Sequence, residues 1–262
     1  MNVRPAAVAG AFYPRDAESL SSEVGGLLAG AQPARSAHPK ALIAPHAGYI
    51  YSGPIAASAY AMLASCRGKV TRVVLAGPAH RVYVTGAAIP SVQAFDSPLG
   101  AVRLDEEALA RVRALPFVEV SDDAHALEHS LEVHLPFLQS MLGEFRLVPI
   151  VVGDATPGEM ATLFDAVWGG GETLIVVSSD LSHYLSYDAA RRRDRRTVDS
   201  ILALETDVDP DEACGARPIN GLLTVARRRG MAVELLDLRN SGDTAGDRHR
   251  VVGYASFALH EK

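Results

Sequence analysis

Three apolar runs constrain this chain more than any other feature, because each ends in a turn that carries a histidine or an aspartate. Ala41 to Pro45 leads into His46, Arg72 to Gly77 leads through Pro78 and Ala79 into His80, and Thr173 to Ser179 leads into Asp180 and His183. Short, uninterrupted apolar runs are the pattern of strands buried on both faces. If the three runs are parallel neighbours in one sheet, their carboxyl ends converge on one crevice, where open α/β sheets bind ligands. The first run is followed by Gly48, Gly53 and the helix-forming stretch Pro54 to Ala64, so strand, turn and helix are expected in that order.

Size and composition fit such a sheet. A chain of 262 residues, 48% hydrophobic and 21% charged, buries roughly 70 to 75% of its unfolded surface without staples. No internal repeat or linker divides it, so residues 1–262 read as one α/β domain, a mixed or mostly parallel sheet flanked by helices. Lys and Arg number 25 against 31 Asp and Glu, for a net charge of −6; a broad nucleic-acid surface, which needs clustered cations, is excluded as an expectation. Cys66 and Cys214 lie far apart and imply no disulfide framework. With no apolar core of signal-peptide length and no run approaching the ~18 residues of a membrane helix, a cytoplasmic location and no membrane association are expected.

Helical periodicity predicts helices over Asp16 to Leu28, Asp105 to Leu115, Pro157 to Trp168, Tyr187 to Leu204 and Pro218 to Arg229. Strands are predicted over Phe145 to Val152, Ala232 to Leu238 and Val251 to Leu259, and a loop over Gly30 to Pro39. The run RRRDRR, interleaved with Asp188, Asp194 and Asp199, reads as a solvated helix face with local ion pairs in preference to a patch for an acidic partner.

Imidazole is the commonest metal ligand, and two histidines with one anionic group leave coordination positions open for substrate, water or dioxygen. Asp180, Cys214, Glu128 and Glu132 are the candidates for that group, and spacing alone does not choose among them. No GxSxG elbow, phosphate-binding loop, HExxH or CxxC is present. Cys66 and four histidines, His38, His125, His249 and His260, have no comparable context and read as surface or boundary residues.

At this point the sequence becomes recognisable. The segments APHAGYIYSG, GPAH, EHSLEVHLPFL, SSDLSHY and CGARPI, with the N-terminal AGAFYP, occur in the order found in the Memo family. The resemblance spans nearly the whole chain. It implies a fold similar to the class III non-heme iron extradiol dioxygenases, which cleave aromatic diols. By motif, His46 and His80 match the two histidine ligands of those enzymes. Cys214 matches the place of their carboxylate ligand, and His183 their acid and base, with Asp180 close by. Thiolate in place of carboxylate makes a softer site, favouring copper or zinc beside iron. Glu128, His129 and Tyr49 are expected to touch substrate or to orient the ligands, with His134 a weaker candidate. Arg217 stands where some relatives have a histidine before the proline.

The resemblance therefore implies a metal-binding protein, with iron(II) first and copper or zinc as alternatives, acting as a redox enzyme on an unknown small substrate. Two other readings stay open: a non-catalytic crevice for a peptide or small ligand, and a metal-dependent hydrolase. Prokaryotic members are often encoded near a radical-SAM protein, which implies a shared pathway.

Overall fold

The computed structural model describes residues 2–31 and 38–261, so residues 32–37 of the loop predicted over Gly30 to Pro39 lie outside the described residues. The chain opens with β1 (Val3–Arg4) and α1 (Ala17–Gly30), whose start is set by Asp16 accepting the Ser19 N–H. Then come β2 (Ala41–Ala44), α2 (Tyr49–Tyr60) and β3 (Arg72–Pro78). Three short strands follow, β4 (Ala87–Ile89), β5 (Ala94–Phe95) and β6 (Val102–Arg103). α3 (Glu106–Arg113) is capped by Asp105 and leads to β7 (Val118–Val120), α4 (Asp122–Ala126) and α5 (Leu135–Leu142). β8 (Arg146–Val152) precedes α6 (Pro157–Val167), which Thr156 and Glu159 start with a reciprocal capping pair. The chain closes with β9 (Thr173–Ser178), β10 (His183–Leu185), α7 (Tyr187–Leu202), α8 (Ala216–Arg229), β11 (Ala232–Asn240) and β12 (Val251–His260).

The main sheet is mixed and runs β10-β12-β2-β9-β3-β8-β4-β7, with β11 paired to β12; β1, β5 and β6 form a small second sheet. Its centre, β2, β9, β3 and β8, is parallel, and β12 and β4 join the two sides antiparallel. β9 is thus flanked by β2 and β3, so the three apolar runs are the expected parallel neighbours. They are buried almost throughout. Helices α1, α2 and α5 pack on one another, while α6 packs on α8, which lies against β3 and β9.

Several local expectations differ from what forms. α2 begins at Tyr49, not Pro54, because the Phe12 carbonyl accepts the Tyr49 N–H at 2.8 Å and Gly48 accepts from Tyr51 and Ser52. Gly53 lies inside the helix as a packing residue, since a Cβ there would come within 2.9 Å of Leu27. Cys66 is fully buried, and His125 is buried with Nε2 on the Ala88 carbonyl at 3.1 Å. Asp194, read as solvated, is buried and accepts the Ser182 N–H at 3.1 Å.

Glu132, weighed as a ligand, is spent elsewhere. Its carboxylate is fully buried and accepts from Arg4 Nη1 at 2.5 Å, the Tyr13 hydroxyl at 2.6 Å and the N–H groups of Ala7 and Val8 at 2.7 and 2.9 Å. Arg4 in turn donates to the carbonyls of His125 and Glu128, both at 2.7 Å. Removing one partner of such a buried pair strands the other's charge. Glu132→Ala is expected to destabilise the protein by ~3–5 kcal/mol, measured by urea unfolding. A loss under about 1 kcal/mol, the worth of an exposed pair, would contradict this account of the arm.

Candidate metal centre

Three of the four central strands each deliver one side chain just past the carboxyl end. His46 follows β2, His80 follows β3 and Asp180 follows β9. The fourth contributor is the segment between α4 and α5, which supplies Glu128 and His129. Gly77 admits this segment: a Cβ there would meet Leu131 and Ser130 at 2.9 Å.

One ring nitrogen from each of His46, His80 and His129 lies within 4.8 Å of the others, the one such group of three metal-capable side chains among the described residues. The His80 and His129 rings stack with centroids 4.6 Å apart, and His46 meets both edge-on at 5.2 and 5.4 Å. Glu128 fixes His80, accepting from its Nδ1 at 2.9 Å and its N–H at 2.6 Å, and also accepts the N–H groups of His129 and Ser130 at 2.9 Å. With Nδ1 so engaged, His80 keeps Nε2 free. His46 places Nδ1 2.6 Å from the Ser178 hydroxyl and Nε2 3.4 Å from Cys214 Sγ.

The electrostatics favour the neutral form of His46 and His129. Burial, followed by the neighbouring histidines, holds His46 well below its ordinary pKa, and burial brings His129 to about 4. Burial alone would raise Glu128, but the hydrogen bond from His80 and the backbone donors outweigh it and hold the carboxyl at about 2. Nearby Asp180 is pushed up to about 7 by burial, although it accepts the His46 N–H at 2.8 Å. Converging imidazoles, with His129 Nδ1 buried and without a hydrogen bond among the described residues, are the donor chemistry of a first-row transition metal. The residues fit such an ion.

A cleft of 810 Å³ opens above the cluster, with Tyr51, Tyr184 and Arg250 at its sides and Asp180 and His183 beside the histidines. Tyr184 has φ 61°, a left-handed conformation costing a non-glycine residue ~1–2 kcal/mol, and it follows His183 where β10 pairs irregularly with β12.

The sequence profile described as Memo-like protein matches residues 4–258. MEMO1 family proteins of Ignicoccus hospitalis and Aquifex aeolicus are each 37% identical to this chain, over 98% of both chains in the first case and over 97% of this chain and 98% of the relative in the second. One from Methanothermobacter thermautotrophicus is 36% identical over 98% of this chain and its own full length.

The chain belongs to the Memo family.

Among solved structures, an uncharacterized protein of Escherichia coli K12 shares the fold, with a TM-score of 0.52 and 14% identity over 82% of this chain and 98% of its own.

The Memo motifs are distributed unevenly around the site. His46, His80, Glu128, His129, Asp180 and His183 all meet at the cleft or its floor. Cys214 borders His46, and its Sγ accepts the Asp180 N–H at 3.3 Å, but it stands outside the three-imidazole group. Burial and then the Asp180 charge push its thiol up. Gly215 permits this placement, because a Cβ there would come within 2.4 Å of the Ser178 carbonyl. Tyr49, expected to touch substrate or to orient the ligands, packs in the core and donates to the Val133 carbonyl at 2.7 Å, and the tyrosine of that motif that reaches the cleft is Tyr51. Arg217 pairs with Asp154 instead of facing the histidines. Sequence reasoning missed Phe12, whose ring lies 4.8 Å from that of His129; its place beside Tyr13 in the family's arm was the available signal.

Asp180 sets a pH dependence. Its folded value of about 7 exceeds the ordinary 3.8, so the folded chain holds the proton more tightly than the unfolded one. The resulting stabilisation is complete below the unfolded value and lost as pH rises through the folded one. Metal-stripped protein is expected to lose stability between pH 4 and 7 relative to Asp180→Asn, read as the difference in urea midpoints. A difference that stays constant over that range would refute the raised value.

Proposed function

We propose that the protein binds iron(II) at His46, His80 and His129, with copper or zinc as the alternative, and uses the centre for redox chemistry on a small molecule held in the cleft. The observation that carries this reading is the convergence of three imidazoles on the floor of an open cleft. A bound ion would supply Lewis acidity and electron transfer toward substrate or dioxygen. Cys214 is a further ligand in this reading, its Sγ lying 3.4 Å from His46 Nε2.

The remaining groups handle protons and position. Glu128, ionised at neutral pH, holds the His80 ring by Nδ1. His183 lines the cleft and is kept neutral by burial, so it accepts a proton from a bound hydroxyl. Asp180, titrating near neutrality, passes that proton on or orients water. The tyrosines at the sides cover the substrate. We place the activity in the cytoplasm, in a pathway shared with a radical-SAM protein, as the family resemblance implies.

The test is metal analysis of protein purified without oxygen. Near-stoichiometric iron or copper is expected in wild type, and little in His46→Ala, His80→Ala or His129→Ala. His183→Asn should keep its metal while oxygen uptake in a screen of small substrates, aromatic diols among them, falls by ~10²–10⁴-fold. Wild-type protein that takes up no metal under reducing conditions overturns the proposal and makes the cleft a binding site for a peptide or small ligand.

A further inference from the structure

The Ser178 hydroxyl has one proton and three polar neighbours. It lies 2.6 Å from the Ser130 carbonyl, 2.6 Å from His46 Nδ1 and 2.8 Å from His134 Nε2, and all of these groups are buried. Two oxygens that close need a proton between them, and a peptide carbonyl has none to give. The hydroxyl proton therefore points at Ser130, and Oγ is left with acceptor lone pairs alone. Both imidazoles must then donate to it. His46 carries its proton on Nδ1 and His134 carries its own on Nε2.

The assignment closes at the other end. With Nε2 protonated, a neutral His134 has an acceptor at Nδ1, and the Tyr60 hydroxyl lies 2.8 Å from it. Tyr60 is fully buried and keeps its proton, and burial holds His134 neutral, with a pKa of about 3. One order of donors satisfies every member: Tyr60 to His134, His134 to Ser178, His46 to Ser178, and Ser178 to the Ser130 carbonyl. Reversing any link leaves two donors or two acceptors facing each other in a buried site, which costs more than an unmade bond in water.

We propose that Ser178 and His134 are positioning residues that lock His46 in its Nδ1–H tautomer, so that its Nε2 lone pair is ready for a ligand bond before any ion arrives. The inference rests on His46 being a ligand, as read above. Neither residue touches substrate or metal; they act through the imidazole. Without the lock, His46 is free to turn or to move its proton to Nε2, and each binding event must first reverse that.

The experiment reads tautomer and affinity separately. Long-range proton–nitrogen NMR on the metal-free, ¹⁵N-labelled full chain reports which His46 nitrogen carries the proton. Titration with zinc(II) against a chromophoric chelator reports affinity. In wild type the proton is expected on Nδ1. Ser178→Ala and His134→Phe should mix the tautomers and weaken zinc binding by ~10–100-fold, the usual cost of losing an outer-shell partner. Ser178→Thr and His134→Gln, which keep the hydroxyl and an N–H donor, should restore most of it, separating a hydrogen-bonding role from packing. A wild-type His46 protonated on Nε2 overturns the inference. So does undiminished zinc affinity, with an unchanged tautomer, in both disruptive variants. If wild type carries the Nδ1 proton yet binds no ion, the lock stands and the metal reading is the part that fails.

Discussion

The carboxylate of Glu132 is the interaction on which the site depends. A charge buried this completely costs several kcal/mol unless every lone pair is used. Here Arg4, Tyr13 and two backbone N–H groups converge on it. The bonds tie the N-terminal arm to the segment that carries Glu128, His129 and His134. They also seat Phe12, whose carbonyl receives the first N–H of α2 and whose ring packs on His129. A surface arm and an interior loop thereby become one rigid wall of the cleft, in keeping with the precision that a group of converging ligands demands.

Two carboxylates close to the cluster are driven in opposite directions, and the contrast separates their roles. Glu128 is surrounded by donors and held at about 2, while Asp180, with fewer donors and deep burial, sits near 7. A pair whose environments push their pKa values apart divides fixed charge from proton exchange. Glu128 serves as the fixed charge that orients His80, and Asp180 is the group able to change its protonation near neutral pH. His46 and His129 are held neutral for a related reason: burial leaves a proton on either ring poorly solvated.

Much of the fold was legible because buried parallel strands leave a plain signature. β2, β3 and β9 were visible as apolar runs, and their adjacency was the condition for a shared crevice at the strand ends, which the sheet order meets. The start of α2 was not legible, since it depends on a carbonyl of Phe12, far off in sequence. The burial of Asp194 was hidden in the same way, by a bond to Ser182 on another element. At the site, His46, His80, Asp180 and His183 could be placed by their strands. His129 stands in a polar segment with no periodicity to place it, and it was read as an orienting residue. Only the packing of that segment against Gly77 brings its ring into the cluster.

The way the site is assembled ties metal binding to folding. His46, His80 and His129 lie on separate connecting segments, and the unfolded chain has no means of bringing their nitrogens within 4.8 Å of one another without closing long loops. An ion that binds the native cluster and not the unfolded chain stabilises the native state by mass action, more as its concentration exceeds its dissociation constant. The same logic runs backwards. Imidazoles gathered with their ring nitrogens close together are a poor arrangement for a core and a good one for a cation, so the folded chain carries part of the cost of the site before the ion is present. The bonds around Glu132 and Ser178, each fully buried and fully used, are the places where the fold offsets that cost.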